Sequence, residues 1–176
     1  MDTITSIALS VDSPILKAAG MVLDGSIAYA AIVLALVLIG ESRNDKRLKL
    51  MASLALTALL VTIVKTALAH ERPCSAEAWC PPGYSFPSTH AAIAFTLMTG
   101  FLNKKSYPLF LLFALFVSFT RMNLGVHVFE DIAGALPVAL ISYYLTDMAW
   151  KMRAGSGKPA PAAGSLRPET GGGKYG

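Results

Sequence analysis

Charged residues are scarce in this sequence. Only 15% of its 176 residues are Asp, Glu, Lys or Arg, whereas 54% are hydrophobic. Because a soluble domain carries about a quarter charged residues, the composition excludes an ordinary soluble protein and indicates one integral membrane domain. The sequence also lacks a P-loop, an HExxH motif and any basic stripe interleaved with aromatic residues. We therefore predict no metal, no other cofactor and no nucleic-acid partner.

The N-terminus lacks the features of a signal peptide. Asp2 and Asp12 stand where basic residues would be expected, and no small-residue cleavage site follows an apolar core. We therefore expect the N-terminus to be retained. Residues 1–15 are weakly amphipathic, and Asp12-Ser13-Pro14 offers a helix N-cap followed by an early helical proline. The pattern predicts a short interfacial helix in this segment.

Five apolar segments predict membrane-spanning helices, because every backbone amide in hydrocarbon needs an internal partner. They cover residues 19–40, 49–69, 88–101, 107–120 and 131–150. The first is uncharged only from Gly25 onward, which is short for a span, so Asp24 is expected near a headgroup region. The transmembrane domain is predicted to cover residues 16–153 of a multi-pass, all-α protein of the cell membrane.

Basic residues cluster on one side of the predicted helices. Four lie in the loop at residues 41–49, two are Lys104 and Lys105, and five lie after residue 150. The positive-inside rule makes this side cytoplasmic. Residues 154–176 are rich in Gly, Pro and Ala, so we predict a disordered cytoplasmic tail.

Three short polar motifs fall at the opposite, extracytoplasmic ends of these helices. The first is Lys65, followed by Arg72 and Pro73. If the helix persists across them, the two cations share a face about 10 Å apart along the axis and can converge on one anion. The ordinary alternative is a lysine that snorkels to the membrane boundary and an arginine in a loop.

The second motif, Pro87-Ser88-Thr89-His90, precedes an apolar run. Ser88 is a candidate N-cap, which places Thr89 and His90 in the first helical turn. A helix N-terminus offers free N–H groups to a phosphate, and His90 would stand over that site as a general acid. The alternative is a capped helix start with an interfacial histidine.

The third motif contains Arg121, His127 and Asp131. A carboxylate four residues after a histidine can fix the imidazole tautomer and leave the other nitrogen free to attack phosphorus. Glu130, three residues after His127, satisfies the same geometry. Both acids also fit a helix start, where the macrodipole favours them. Arg121 offers a planar fork suited to two phosphate oxygens.

In order, the motifs are K-x6-RP, PSTH and TR-x5-H-x3-D, over residues 65–131. This resembles the signature of the type-2 phosphatidic acid phosphatase superfamily, which includes lipid phosphatases, polyprenyl diphosphate phosphatases and vanadium haloperoxidases. The family pattern selects Asp131 over Glu130, and the family usually has glycine where Thr89 stands. Since many relatives have six spanning helices, the resemblance implies a transmembrane bundle of five to six helices.

The resemblance implies metal-independent hydrolysis of a membrane lipid phosphate through a phosphohistidine. His127 would be the nucleophile, Asp131 its partner and His90 the general acid. The phosphate-binding residues would be Lys65, Arg72, Ser88, Thr89 and Arg121. The small size looks most like the polyprenyl diphosphate phosphatases, with phosphatidic acid or phosphatidylglycerophosphate as the second choice of substrate. A non-enzymatic transporter is a distant alternative, because the charges avoid the helix centres.

The loop between the first two motifs contains Cys74 and Cys80. If it faces the oxidising side, the C-x5-C spacing predicts a possible disulfide; if it were cytoplasmic, two free thiols would be the default. In the same loop His70 and Glu71 match no motif position, and we interpret them as solvated residues.

Overall fold

The computed structural model describes residues 2–155, and within that range it contains helices and loops but no strand. The all-α prediction is therefore confirmed for this part of the chain. The helices are α1 (Thr3–Ser10), α2 (Pro14–Asp24), α3 (Ser26–Gly40), α4 (Asn44–Leu68), α5 (Thr89–Gly100), α6 (Tyr107–Asn123) and α7 (Phe129–Gly155). Of the predicted cytoplasmic tail, residues 154 and 155 end α7, and the rest lies outside the described residues.

Two helices, α4 and α7, are long and apolar enough to cross a membrane. Helices α1 and α2 pass the same test only as a pair, and that pair is bent by 112°. Helices α3 and α6 are apolar but shorter, and α5 has 12 residues. Helix length in the described range therefore supports two or three spans, and the predicted count of five to six is not confirmed.

The segment predicted as the first span, residues 19–40, is divided in two. Helix α2 ends at Asp24, α3 begins at Ser26, and Gly25 between them has an extended backbone with ψ of 110°. Glycine is a poor helix former, so the break falls where helix propensity is weakest. At the start of α2 the prediction is confirmed: Ser13 accepts a hydrogen bond from the Leu16 N–H, and Pro14 is the first helical residue.

Helix α1 is attached to the ends of α6 and α7. The Asn123 side-chain amide donates to the carbonyls of Ala8 (2.7 Å) and Val11 (2.9 Å). At the start of α7, the Phe129 N–H donates to Thr5 Oγ1 at 2.9 Å. The N-terminal helix is thus part of the bundle as well as a predicted interfacial element.

Helix α5 is the centre of the bundle and packs against α4, α6 and α7. Ala91, Ala92 and Ala94 are fully buried, and small side chains of this kind let neighbouring helices approach closely. The outward faces carry exposed apolar side chains such as Ile27 and Leu112, as expected for a surface in contact with lipid.

The bundle has two polar ends. One end, here called the site end, contains the end of α4 and the starts of α5 and α7, where the three motifs lie. The other, here called the basic end, contains the start of α4 and the loops after α3 and α5. From Lys49 to Lys65 along α4, the two ends are about 24 Å apart at 1.5 Å per residue.

Candidate active site

The site is built around Asp131, a fully buried carboxylate in the first turn of α7. One of its oxygens, Oδ2, accepts hydrogen bonds from three donors. These are His127 Nδ1 at 3.1 Å, the Val128 N–H at 3.0 Å and the Ser85 hydroxyl. The carboxylate is therefore fixed from two sides, by its own helix start and by the loop before α5, and it can hold the imidazole in one orientation.

The hydrogen bonds of His127 also define its tautomer. Its second nitrogen, Nε2, lies 3.4 Å from Arg72 Nη1. A guanidinium has only donors, so Nε2 is the accepting nitrogen and Nδ1 carries the proton that bonds to Asp131. The lone pair of Nε2 consequently faces an arginine, which is where a bound phosphoryl group would be held.

His127 is neutral at physiological pH. Burial of the ring, whose side chain is only 2% exposed, lowers its pKa to about 4. Asp131 acts in the opposite direction and raises the pKa, whereas the nearby charges of Arg121 and Arg72 lower it further. A neutral imidazole with a free lone pair is the form that can act as a nucleophile.

Lys65 and Arg72 are held by consecutive backbone carbonyls of the loop before α5. Lys65 Nζ donates to the carbonyls of Tyr84 (2.7 Å) and Ser85 (2.9 Å). Arg72 donates through Nε to the Gly83 carbonyl at 3.2 Å and through Nη1 to the Val126 carbonyl at 3.2 Å. Both cations are thus oriented by carbonyls, and neither makes a salt bridge with a carboxylate within residues 2–155.

The predicted shared helix face is wrong for this pair. Helix α4 ends at Leu68, and Ala69 adopts a left-handed conformation with φ of 48°. The chain turns away there, so Arg72 lies in the loop and is three residues beyond the helix cap. The two cations are brought together by the loop that accepts their hydrogen bonds, and helical spacing plays no part.

Arg121 comes from the last turn of α6 and is nearly inaccessible, with 2% of its side chain exposed. Its Nη1 lies 2.7 Å from Asp24 Oδ1, across from the break between α2 and α3. From the sequence, Asp24 was expected only to lie near a headgroup region. The structure adds a role, because this carboxylate holds one of the cations of the motif set.

Ser88 occupies the N-cap position of α5 as predicted, but its hydroxyl makes no capping bond. The hydroxyl is buried and has no hydrogen-bond partner among residues 2–155. The Ser88 N–H donates instead to the Asp131 carbonyl at 3.0 Å, which ties the second motif to the third. A buried hydroxyl without a partner is a group that a bound phosphate oxygen can satisfy.

His90 lies in the first turn of α5 beside Tyr29 of α3. The two ring centroids are 4.6 Å apart, and the Tyr29 hydroxyl donates to the His90 carbonyl at 2.7 Å. Thr89 and His90 both line an apolar groove between α3, α4 and α5. The proposed general acid is therefore next to an opening in the side of the bundle.

Two further residues of the site carried no recognisable sequence signal. Ser85 is fully buried and bonds to Asp131, yet nothing in a lone serine three residues before Ser88 marks it. His70 is 57% exposed, as expected of a solvated residue, but its Nδ1 lies 4.0 Å from Asp131 Oδ1. Glu71 is exposed in agreement with its interpretation. Ser85 and His70 can be identified as site residues only from their contacts with Asp131 in the folded structure.

Cys74 and Cys80 are joined as a disulfide, with their Cα atoms 5.5 Å apart. The bridged loop begins two residues after Arg72, whose carbonyl accepts a hydrogen bond from the Ser75 N–H at 3.1 Å. The covalent link therefore restricts the loop that presents the arginine. Over residues 2–155 no cluster of three or more His, Cys, Asp or Glu side chains is placed to hold a metal ion.

The sequence model of the PAP2 superfamily matches residues 46–154, more than half of the chain, and all three motifs lie inside that match. The chain belongs to the PAP2 superfamily. The resemblance seen in the motifs is thereby confirmed. Asp24, which pairs with Arg121, lies outside the matched segment.

Among curated PAP2 relatives, undecaprenyl-diphosphatase BcrC of Bacillus subtilis strain 168 is 30% identical over 134 residues. The match covers 68% of this chain and 66% of the relative, slightly less than two thirds of its length. Two solved structures share the fold at 19% identity. LpxE of Aquifex aeolicus has a TM-score of 0.65 and covers 82% of this chain and 93% of that one.

The second structure is a transmembrane PAP2-type phosphatidylglycerolphosphate phosphatase from Bacillus subtilis, also with a TM-score of 0.65. It covers 85% of this chain and 83% of that one. At this level of identity both structures show that the chain has the PAP2 fold, and the substrate has to be argued from the site.

Proposed function

We propose that this protein is a membrane lipid phosphatase that hydrolyses a polyprenyl diphosphate through a phosphohistidine at His127. The observation that carries the proposal is the orientation of His127. Its Nδ1 is bound to the buried Asp131, and its Nε2 faces Arg72. A fixed neutral imidazole whose lone pair points at a cation is an arrangement for attack on phosphorus.

In the first step the Nε2 lone pair of His127 attacks the terminal phosphorus of the substrate. The bond from phosphorus to the bridging oxygen breaks, and its electron pair goes to that oxygen. His90 donates the proton that the leaving oxygen takes up. The product of this step is a phosphohistidine and a lipid monophosphate.

In the second step water attacks the phosphohistidine. His90, which has lost its proton, accepts one from the water, and the bond from phosphorus to Nε2 breaks. Phosphate leaves, and both histidines return to their starting forms. During both steps Lys65, Arg72 and Arg121 stabilise the charge on the equatorial oxygens, as fixed cations and metal ions do in other phosphoryl transfers.

The argument for a lipid substrate rests on the groove that ends at His90. It has a volume of about 270 Å³ and lies between α3, α4 and α5. Its walls are mainly apolar, with Tyr29, Val33, Leu34, Met51, Leu54 and Ile93 among them. If the lipid tail stays in the hydrocarbon of the membrane and enters through this groove, the phosphate reaches the site from the side of the bundle. Each CH₂ group of the tail that is buried contributes about 0.8 kcal/mol to substrate binding.

The preference for a polyprenyl diphosphate is supported by the name of the relative BcrC, an undecaprenyl-diphosphatase, with 30% identity. A second candidate is phosphatidylglycerophosphate or phosphatidic acid. It is supported by the phosphatidylglycerolphosphate phosphatase whose fold this chain shares. Both substrates fit the same mechanism, because each presents a terminal phosphate on an apolar tail.

The experiment that tests this proposal is phosphate release from purified lipids in mixed micelles. We expect a long-chain polyprenyl diphosphate to be hydrolysed with far higher kcat/KM than a water-soluble phosphate ester, with phosphatidic acid as the matched lipid monoester. Rapid quenching at alkaline pH should trap a phosphoryl group on wild-type protein and none on His127→Asn. Equal rates for the soluble ester would contradict the lipid substrate, and no trapped intermediate would contradict the covalent step.

We also propose that the site end faces the extracytoplasmic side. The positive-inside rule supports this, and so does the disulfide at that end, because such bonds persist on oxidising faces. In protein with Cys74 and Cys80 replaced by serine, a membrane-impermeant thiol reagent should label Ala78→Cys in intact cells but not Ser42→Cys. Both positions are exposed, so the reverse pattern would overturn the orientation.

A further inference from the structure

At the basic end, a cavity of about 390 Å³ lies between the ends of α3, α4, α5 and α7. Its lining includes four lysines and two carboxylates: Glu41, Lys46, Lys49, Lys104, Asp147 and Lys151. We propose that this cavity is a second anion-binding site, which takes the phosphate group of a membrane lipid headgroup or free phosphate. It is distinct from the active site, since α4 separates the two along most of its length.

Four of the six charged side chains of this cavity are partly or fully withdrawn from solvent, which separates them from lysines that merely extend toward the headgroups. Lys49 and Asp147 are each only 19% exposed and lie 2.7 Å apart. Glu41 is 8% exposed and lies 2.6 Å from Lys104. Desolvated, oriented charges of this kind form a polar chamber between helices, and basic pockets in such positions bind lipid phosphates.

The two carboxylates of the cavity cannot neutralise its four lysines. Asp147 is shared by Lys49 and Lys151, the second at 2.6 Å, and Glu41 is occupied by Lys104. Lys46 lines the same cavity; its charge acts on Glu41, but among residues 2–155 it makes no salt bridge of its own. Four positive and two negative groups leave a net charge of +2 in a partly enclosed space, and such a space concentrates anions.

The lysines are distributed around the cavity. Lys49 and Lys104 are partly buried, whereas Lys46 and Lys151 are exposed, so an anion entering from the membrane surface meets cations on several sides. Lys49 also lies 5.3 Å from the centre of the Tyr143 ring, a cation–π contact that holds the ammonium in place. Several ammonium groups around one anion can share its oxygens.

The test uses the full-length protein carrying His127→Asn, so that lipid phosphates are not consumed, in a neutral detergent. Amide hydrogen exchange is followed in segments 41–50 and 99–107 at the basic end, with segments 83–90 and 121–128 as reporters of the active site. The additions are inorganic phosphate, phosphatidylglycerol in mixed micelles, or phosphatidylcholine as a lipid without net charge.

We expect inorganic phosphate or phosphatidylglycerol to slow exchange at the basic end, and phosphatidylcholine to have no such effect. Lys46→Gln should weaken the apparent affinity by about fivefold, the factor for one lysine near a membrane surface. Lys105→Gln is the matched control, because Lys105 is exposed on the same loop as Lys104 but does not line the cavity.

The arms also separate the two sources of phosphate. Protection by phosphatidylglycerol alone assigns the cavity to a lipid headgroup, whereas protection by both additions assigns it to the phosphate group itself. Absence of protection at the basic end overturns the proposal. Equal protection by phosphatidylcholine, or equal weakening by Lys105→Gln, overturns it as well. Because the readout is local, none of these outcomes depends on the proposed phosphatase activity.

Discussion

The two ends of the bundle hold their cations by different means. At the site end, Lys65 and Arg72 donate to backbone carbonyls of residues 83–85 and 126. At the basic end, Lys49 is paired with the half-buried Asp147 and Lys104 with the buried Glu41. A carbonyl orients a cation through a dipole and leaves its charge in place, whereas a carboxylate cancels most of it. The first arrangement leaves the positive charge available to an anion. In the second, the paired lysines also stabilise the fold, and only the surplus positive charge of the cavity is left for an anion.

Arg121 is the exception at the site end, because Asp24 lies 2.7 Å from it. An arginine with 2% exposure needs a partner in the empty site, since an isolated buried charge is costly. The carboxylate supplies one, and it is also the group that an incoming phosphate has to compete with. The comparison between the ends therefore separates three kinds of cation. Some are held by backbone carbonyls, some are paired with carboxylates, and Arg121 is paired with a carboxylate that a bound phosphate would have to displace.

The largest expected effect is that of His127→Asn. Asparagine keeps a polar side chain of similar reach but cannot accept a phosphoryl group, so kcat should fall by about 10⁴-fold. Phosphate release gives the rate, and circular dichroism with size-exclusion chromatography shows that the fold is kept. Near-normal turnover by this variant would show that His127 is not the nucleophile.

A pair of substitutions tests the difference between the two ends directly. Arg72→Gln should lower kcat/KM by about 10²- to 10³-fold, as for loss of a group that stabilises transition-state charge, with little change in thermal midpoint. Lys104→Gln should instead lower the thermal midpoint, because it leaves the buried Glu41 unpaired at a cost of about 2 kcal/mol.

The same two purified variants provide both measurements, kinetics and thermal unfolding. If Arg72→Gln unfolds as early as Lys104→Gln, the carbonyl-held cations are structural and the comparison fails.

The third prediction concerns pH. The attacking form of His127 is neutral and is lost as the pH falls through its pKa, which burial lowers to about 4. At pH 5 a histidine with the ordinary pKa of about 6.5 would be mostly protonated, so retaining the neutral form is an advantage of about thirtyfold. Activity should therefore persist at pH 5.

The pKa can be measured by NMR titration of protein with ring-labelled histidine, with the signal assigned by its absence in His127→Asn. Arg72→Gln should raise this pKa, because it removes a nearby positive charge. A midpoint near 6.5 in the wild type would show that the ring is solvated.

The smallest effect is expected for Asp24→Asn. Removing the carboxylate lessens the competition for Arg121, so orthovanadate, which mimics the five-coordinate transition state, should bind about fivefold more tightly. The inhibition constant is the measurement. Asp12→Asn, an exposed acid on the preceding loop, serves as the control. Weaker inhibition in Asp24→Asn would mean that Asp24 only positions Arg121 and does not compete with the ligand.

Much of the site was predictable because its reacting groups sit in short motifs. The i, i+4 spacing of His127 and Asp131 predicts their contact, which the structure shows at 3.1 Å. Pro87-Ser88-Thr89-His90 predicts a helix start, and α5 begins at Thr89. In each case the geometry is set by one helix turn, which local sequence determines.

The remaining features depend on contacts between distant parts of the chain. Ser85 and Asp131 are 46 residues apart, and Asp24 and Arg121 are farther apart still. No spacing rule connects such pairs. The end of α4 was predicted to within one residue, since the segment was expected to run to residue 69 and the helix ends at Leu68. The left-handed turn at Ala69, which directs Arg72 away from the helix, was not predicted, because Ala69 is not a glycine and gives no stop signal. The helix break at Gly25 could have been predicted from the sequence, because Asp24-Gly25 combines two residues that are unfavourable within a helix.

Gly134 illustrates how tightly the third motif is seated. A Cβ on this residue would lie 2.2 Å from the Phe86 ring, so only glycine allows α7 to approach the loop that precedes α5. That approach brings Ser85 and the Ser88 N–H to Asp131. Asp131 can reach these partners only because Gly134, which has no side chain, leaves room for the Phe86 ring.

The attachment of α1 has a consequence for the order in which the molecule is completed during synthesis. Thr5 and Ala8 leave the ribosome first, yet their partners Phe129 and Asn123 are translated more than a hundred residues later. Until α6 has been made and α7 begun, the first helix lacks these hydrogen-bond partners. The nascent chain therefore carries an unattached amphipathic end through most of its insertion. His127 is translated two residues before Phe129, so it is made at the same late stage at which that end can close onto the bundle.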